Sequence, residues 1–255
     1  MDNMNNLQLA LPSFTASSEP SPQIYTFQRP YSQSFSLSCP MIRYMIIHCK
    51  SGKAWKKLIM SCKYFYSKKS VFPVGHLDVV CDLKCKADGE MFDSSLTFPK
   101  LWLYDLFSYE SYINDDPTTI APLIPKIFEF NLRVLQISHQ TLTLNEYQNL
   151  TATRSLESLQ LIKCAIKNAD GITVTVDKLL EGLERLEHFD MCVINGSSFH
   201  CDTVEKMVKI LNGFTKMRWW KFEGLTETFR FSDFAGFLMS NEVVIFATKF
   251  SGRML

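Results

Sequence analysis

No stretch of this 255-residue chain reaches the roughly 18–20 uninterrupted apolar residues that a membrane-crossing helix needs. The N-terminus lacks the apolar core of a secretory leader, so no secretion signal is predicted. The eight cysteines (Cys39, Cys49, Cys62, Cys81, Cys85, Cys164, Cys192 and Cys201) show no framework spacing. Outside a secretory setting they are expected to be reduced and mostly buried, as small hydrophobes. These absences point to the cytoplasm or nucleus. Catalytic signatures are missing too: there is no G-x-S-x-G, P-loop, G-x-G-x-x-G or H-E-x-x-H. His139, His188 and His200 have no nucleophile or carboxylate at motif spacing. His76, Cys81 and Cys85 match no strong zinc pattern and lack an evident fourth ligand. No enzyme, cofactor or metal site is expected.

What the chain does have is apolar mass and an uneven distribution of charge. Its apolar fraction is 46%, with 20 Phe, and its net charge is +1. That small net charge hides a division, because residues 41–70 carry eight Lys and Arg and no acid, whereas residues 71–255 carry 18 basic and 24 acidic residues. A basic headpiece followed by an acidic body suggests two modules with different duties. Residues 1–40 are rich in Ser, Gln, Asn and Pro and have no apolar period. Such a segment buries too little to offset its ordering entropy, so a disordered tail is predicted.

In the headpiece, Met41, Ile42, Met45 and Ile46 have helical spacing, and Ser51-Gly52 marks a break and an N-cap. Trp55, Leu58, Ile59, Cys62 and Phe65 then recur at i, i+3, i+4, i+7 and i+10, the stripe of an amphipathic helix. This stripe is read first as a cap over the first turn of the body's core.

The body is organised around Leu156–Ile166, LESLQLIKCAI. It reads L-x-x-L-x-L-x-x-C-x-I, the consensus of a leucine-rich repeat. The register recurs as Val74, Leu77, Val79; Phe98, Leu101, Leu103; Leu132, Leu135, Ile137; Leu186, Phe189, Met191; and Met217, Trp220, Phe222. Successive starts are 24, 34, 24, 30 and 31 residues apart, with a faint seventh register at Val243, Phe246 and Thr248. The fold predicted from this is α/β: an irregular leucine-rich-repeat solenoid with parallel strands over residues 71–255, a helical cap over 41–70 and the tail over 1–40. Trp219 and Trp220 are adjacent, so alternation sends one to the core and the other to the outer sheet surface. An exposed Trp there is a candidate partner contact.

Between the strands, Lys86–Ser95 reads as a polar loop around Asp88-Gly89. Asp116-Pro117 reads as a helix start and Thr118–Phe128 as a short or kinked helix. A helix is expected near Asn145, a longer one over Asp177–Leu186, and one opened by an Asp202-x-x-Glu205 capping box. Ser232 is read as the cap of a last helix carrying Phe234, Phe237 and Leu238.

The pieces SGKAWKKLIMSCKYFYSKK, FPKLWLYD, IPKIF and Gln140–Glu146 (QTLTLNE) resemble a nematode-expanded family of F-box-like, leucine-repeat proteins, the F-box C type, over about residues 48–240. The resemblance implies a reduced F-box that keeps its closing part, Leu58 to Phe65. An F-box docks a Skp-type adaptor of a cullin ubiquitin ligase, and the repeats would present a protein substrate. Adaptor docking then falls to Trp55, Leu58, Ile59, Cys62 and Phe65, and partner contact to Trp219 and Trp220. The expected function is a non-catalytic interaction scaffold. Competing readings are nucleic-acid binding by the basic headpiece, where Trp55, Tyr64, Phe65 and Tyr66 interleave with lysines as stacking sites, and a purely structural paralogue that no longer docks an adaptor. The same lysines read as a nuclear-import patch.

Overall fold

Over Val134–Ser138 and Ser158–Ile162 buried and half-exposed positions alternate, the pattern of a strand with one face turned to the core. The computed structural model describes residues 37–81, 84–95, 98–110, 119–194, 198–200, 202–227, 229–240 and 245–250. The chain enters through three helices, α1 (Cys39–His48), α2 (Gly52–Ser61) and α3 (Lys63–Lys68). Strand β1 (Val71–Cys81) follows, then β2 (Lys84–Ala87), β3 (Glu90–Asp93) and β4 (Lys100–Tyr109). A 3-10 turn at Ile124–Lys126 leads to β5 (Ile127–Phe130), β6 (Val134–Ser138) and β7 (Thr141–Thr143). Next come α4 (Leu144–Thr151), β8 (Ser158–Ile162), β9 (Ala165–Lys167), α5 (Val176–Leu180) and β10 (His188–Cys192). The described chain closes with α6 (Thr203–Leu211), β11 (Trp219–Leu225), α7 (Phe231–Ser240) and β12 (Ile245–Phe250).

Ten of these strands form one mixed sheet in the order β12-β11-β10-β8-β6-β4-β1-β2-β3, with β5 also on β4. From β1 to β12 the pairing is parallel. At the far edge β2 and β3 pair antiparallel. Strands β7 and β9 make a separate two-stranded parallel sheet. Two register rows run through the core. One is Leu77, Phe107, Leu135, Leu159, Phe189, Trp220 and Phe246; the other is Val79, Tyr109, Ile137, Leu161, Met191, Phe222 and Thr248. Phe189 stacks on Trp220 at 4.5 Å, and Phe234 of α7 lies 6.3 Å from that indole. Each such aromatic removes about 150–250 Å² from water, or about 4–6 kcal/mol at the usual area coefficient.

The solenoid expectation is overturned. The molecule is an α/β fold dominated by a mixed ten-stranded sheet with few helices, and no common unit returns the chain from one strand to the next. The return path carries an antiparallel hairpin after β1, a 3-10 turn before β5, and then helices of eight, five, nine and ten residues. The L-x-x-L-x-L register describes a buried strand and is silent on the segment behind it, so it cannot by itself establish a repeat.

Other expectations need local correction. The polar loop over Lys86–Ser95 is the β2–β3 hairpin, turned by Asp88 (φ 49°) and Gly89 (φ 100°), a pair of left-handed residues that matches strand twist. The stripe ending at Phe65 belongs to two helices, because Cys62 is extended (φ −158°) and starts α3 by accepting from the Tyr64 amide. The helix over Asp177–Leu186 stops at Leu180, where Glu181 and the left-handed Gly182 (φ 80°) take the chain out of helix. Asp202 makes no side-chain cap; it pairs with Lys206 at 2.5 Å. By contrast Thr143 and Glu146 form a reciprocal capping box on α4. Residues 1–36 of the predicted tail and the Asp116-Pro117 helix start lie outside the described residues, and α1 already begins at Cys39.

Candidate docking face and basic cavity

Ser51 caps α2 by accepting from the Ala54 amide, which sets the angle at which the helix lies over β1. Trp55 is then fully buried and its Nε1 donates to the Val71 carbonyl at 3.0 Å. Phe65 meets it edge-on at 6.4 Å, and Cys62 is buried beside them. Lys69 places its ammonium 4.4 Å over Trp102 and 5.4 Å over Trp55. Three of the five residues assigned to adaptor docking, Trp55, Cys62 and Phe65, therefore face the interior. Leu58 and Ile59 are half-buried. The same burial removes Trp55 and Phe65 as stacking platforms for a nucleic acid, while Tyr64 and Tyr66 are half-buried.

An exposed apolar surface lies on α1. Met41 (55% exposed), Tyr44 (64%) and Ile47 (62%) project outward, and Met60 of α2 is 77% exposed. Only Ile42 of α1 is buried. Between α1 and α2 runs a groove of about 570 Å³ whose lining includes Tyr44, Met45, Ala54 and Leu58, with Lys57 and His48 at its margin. The helical spacing of Met41, Ile42, Met45 and Ile46 does not reveal this face, because Met41 is exposed while Ile42 is buried.

Trp220 is in the core and Trp219 is half-buried on the opposite face. Trp219 shares a register row with His188 and Ser158 on one side and the exposed Ile245 on the other. The next row is polar: Asp78, Ser108, Gln136, Gln160, Asp190 and Lys221. Within it Ser108 donates to Asp78 at 2.5 Å, and Lys221 lies 3.4 Å from Asp190 and 3.1 Å from Glu223.

A second feature joins the headpiece to the body. Asp88, at the hairpin tip, accepts from the amides of Gly75 and His76, both at 2.9 Å, and from the Lys56 ammonium. Burial pulls its pKa upward, but the Lys56 bond and the His76 and Gly75 amides outweigh it and hold the carboxyl below its usual value. Gly52 packs so closely on Tyr104 that an added Cβ would lie 2.5 Å from the ring. Alongside, residues of β1 and β4 and of the segments before β6, β8 and β10 form a rim of alternating charge. His76 and Arg133 flank Asp105 at 3.1 and 2.7 Å, and Arg133 and Arg185 approach Glu157 at 3.3 and 3.7 Å. Hydrogen bonds to Asp105 raise the pKa of the Arg133 guanidinium. Between this rim and the first turn of α2 lies a cavity of about 830 Å³.

Among the described residues, no cluster of three His, Cys, Asp or Glu could hold a metal, and no helix is long and apolar enough to cross a membrane. His76 is paired with Asp105, and Cys85 is buried. The Cys81 side chain and Cys201 lie outside the described residues. Burial pushes the Cys164 thiol up to about 11, and it donates to the Ile137 carbonyl at 3.3 Å. His139 has a buried Nδ1 with no partner, whereas His188 and His200 are exposed. No protein-family model, curated protein or solved structure matches this chain.

Proposed function

We propose that this chain is a non-catalytic protein-interaction scaffold acting in the cytoplasm or nucleus as a substrate adaptor of a cullin-type ubiquitin ligase. In this reading the α1–α2 face takes the Skp-type adaptor and the open sheet face around Trp219 contributes to substrate contact. The observation that carries it is the row of exposed apolar residues on α1, Met41, Tyr44 and Ile47, beside an apolar groove. A soluble surface does not ordinarily present such a row unless it meets a partner. The segment that forms it, residues 41–70, carries Arg43, Lys50, Lys53, Lys57 and Lys63 among its eight basic residues and no acid. A partner that offers an apolar helix with an acidic border complements both properties.

The test is a pull-down of the full chain against a purified Skp-type adaptor, with a Tyr44→Ser, Ile47→Ser variant whose fold is checked by circular dichroism. Capture by the wild type and its loss in the folded variant supports the reading. A folded wild type that captures no adaptor overturns it. Trp55→Ala is the wrong probe, because that indole is part of the core and its loss would confuse unfolding with undocking.

A further inference from the structure

We propose that the cavity between α2 and the charged rim of the sheet is a binding site for a phosphate monoester. This inference does not rest on adaptor docking and concerns a different face. The cavity is lined by no aliphatic side chain, so it is not built for an apolar ligand. Its charged lining is Lys50, Lys53, Arg133 and Arg185 against Asp88 and Asp105. That is an excess of two cations, close to the charge of about −1.5 to −2 on a phosphate monoester at neutral pH.

Both carboxylates are already engaged. Asp88 is taken by Lys56 and two backbone amides, and Asp105 by His76 and Arg133. Among the described residues Lys50 and Lys53 form no ion pair. Arg133 and Arg185 are 55% and 57% exposed. Arg133 engages Asp105 and Glu157 through Nε and Nη1, and Arg185 reaches Glu157 at 3.7 Å. Planar guanidinium forks of this kind match phosphate oxygens. Thr153, Ser155 and Asn131 complete the same wall as structural groups: Ser155 donates to the Leu132 carbonyl and bonds Thr153, and the Asn131 amide donates to Glu129.

The cations come from three separate parts of the chain, the approach to and start of α2 and the segments before β6 and before β10, so the fold alone assembles the site. A nucleic-acid backbone fits it poorly. Such a ligand needs a continuous basic track with stacking rings, whereas here Asp88, Asp105 and Glu157 interrupt the cations and Trp55 is buried. The monoester could belong to a small metabolite or to a phosphorylated protein side chain; the recognising chemistry is the same.

The experiment uses the full chain with inorganic phosphate, phosphoserine, a phosphoserine peptide and its unphosphorylated form, read by calorimetry and thermal shift. Saturable binding of phosphate and phosphoserine is expected, weakening with salt. A Lys53→Gln, Arg185→Gln variant, with unchanged circular dichroism and melting in the absence of ligand, is expected to bind about tenfold or more weakly, as loss of charge-assisted bonds implies. A phosphopeptide that binds much more tightly than phosphoserine identifies a protein source; equal affinity identifies a small molecule. Absence of saturable anion binding by the folded wild type overturns the proposal. So does unchanged affinity in the variant, or binding of an oligoribonucleotide that phosphoserine does not displace.

Discussion

Helices α1 and α6 are of similar length and both carry apolar residues at helical spacing, but they meet different surroundings. Helix α6 buries Thr203, Val204, Met207 and Leu211 against the body. Helix α1 buries Ile42 and leaves Met41, Tyr44 and Ile47 in solvent. The difference extends to the regions they belong to. The body directs its large side chains inward, with Phe189, Trp220, Phe222 and Phe234 fully buried. The headpiece is held to it by a few specific contacts: the Trp55–Val71 bond, the Asp88 clamp and the fit of Gly52 on Tyr104. One region derives its stability from bulk packing, the other from a smaller apolar cluster around Trp55 together with individual polar and steric contacts. A face left unburied in the second is therefore available for a partner.

The largest effect that can break this comparison is expected in the body. Trp220→Ala leaves a cavity among Phe189, Phe222 and Phe234 and should cost about 3–5 kcal/mol in chemical denaturation. Trp219→Ala, one residue away on the open face, should cost well under half of that. Equal losses for the two would mean that the body's stability is not concentrated in its inner rows. Gly52→Ala comes next. Its Cβ would meet the Tyr104 ring at 2.5 Å, so a cost of about 1–3 kcal/mol is expected, with hydrogen exchange rising in α2 before it rises in β8 or β10.

Asp88→Asn sharpens the polar side of the comparison. Asparagine tolerates the left-handed turn but cannot attract Lys56, and a loss of about 1 kcal/mol is expected at neutral pH. The sign with pH follows from the depressed folded pKa of Asp88. Its contribution is fully present above the unfolded carboxylate value and fades as pH falls through the folded value. Wild type and variant should therefore converge in acid, which urea denaturation at several pH values will show. The smallest stability effect is expected for Tyr44→Ser with Ile47→Ser, within about 0.5 kcal/mol as for other surface positions. That same variant carries the largest expected loss of adaptor capture. A large loss of stability there would show that α1 is part of the core after all.

Much of the strand content was readable from single residues. Leu77, Leu101, Leu135, Leu159, Phe189 and Trp220 all lie in strands with the inward orientation that their spacing implies, and Phe246 pairs with Trp220 at the position of the faint seventh register. The hairpin at Asp88-Gly89 was also legible, since Asp-Gly between Cys85 and Phe92 is a strong turn signal, but the surrounding Lys, Asp and Ser obscured it. Trp55 and Phe65 are buried, in keeping with a cap over the body's core. Periodicity identifies which residues of a helix share a face and says nothing about which face meets the body, so the exposed face of α1 was not legible in the same way.

Local order in this protein was thus written in the chain: strand positions, the alternation that separates Trp219 from Trp220, and the Ser51 and Thr143 caps all depend on neighbours within a few residues. The tertiary structure alone decided three other matters. It made the sheet mixed, by folding β2 and β3 back along β1 where a solenoid would have continued outward. It left α1 with an uncovered face, because Ile42 is the one residue of that helix that reaches the interior. It also brought Lys53, Arg133 and Arg185 to one cavity. Long-range placement depends on which buried surfaces remain after the strands have paired, and that balance is a property of the whole chain rather than of any segment.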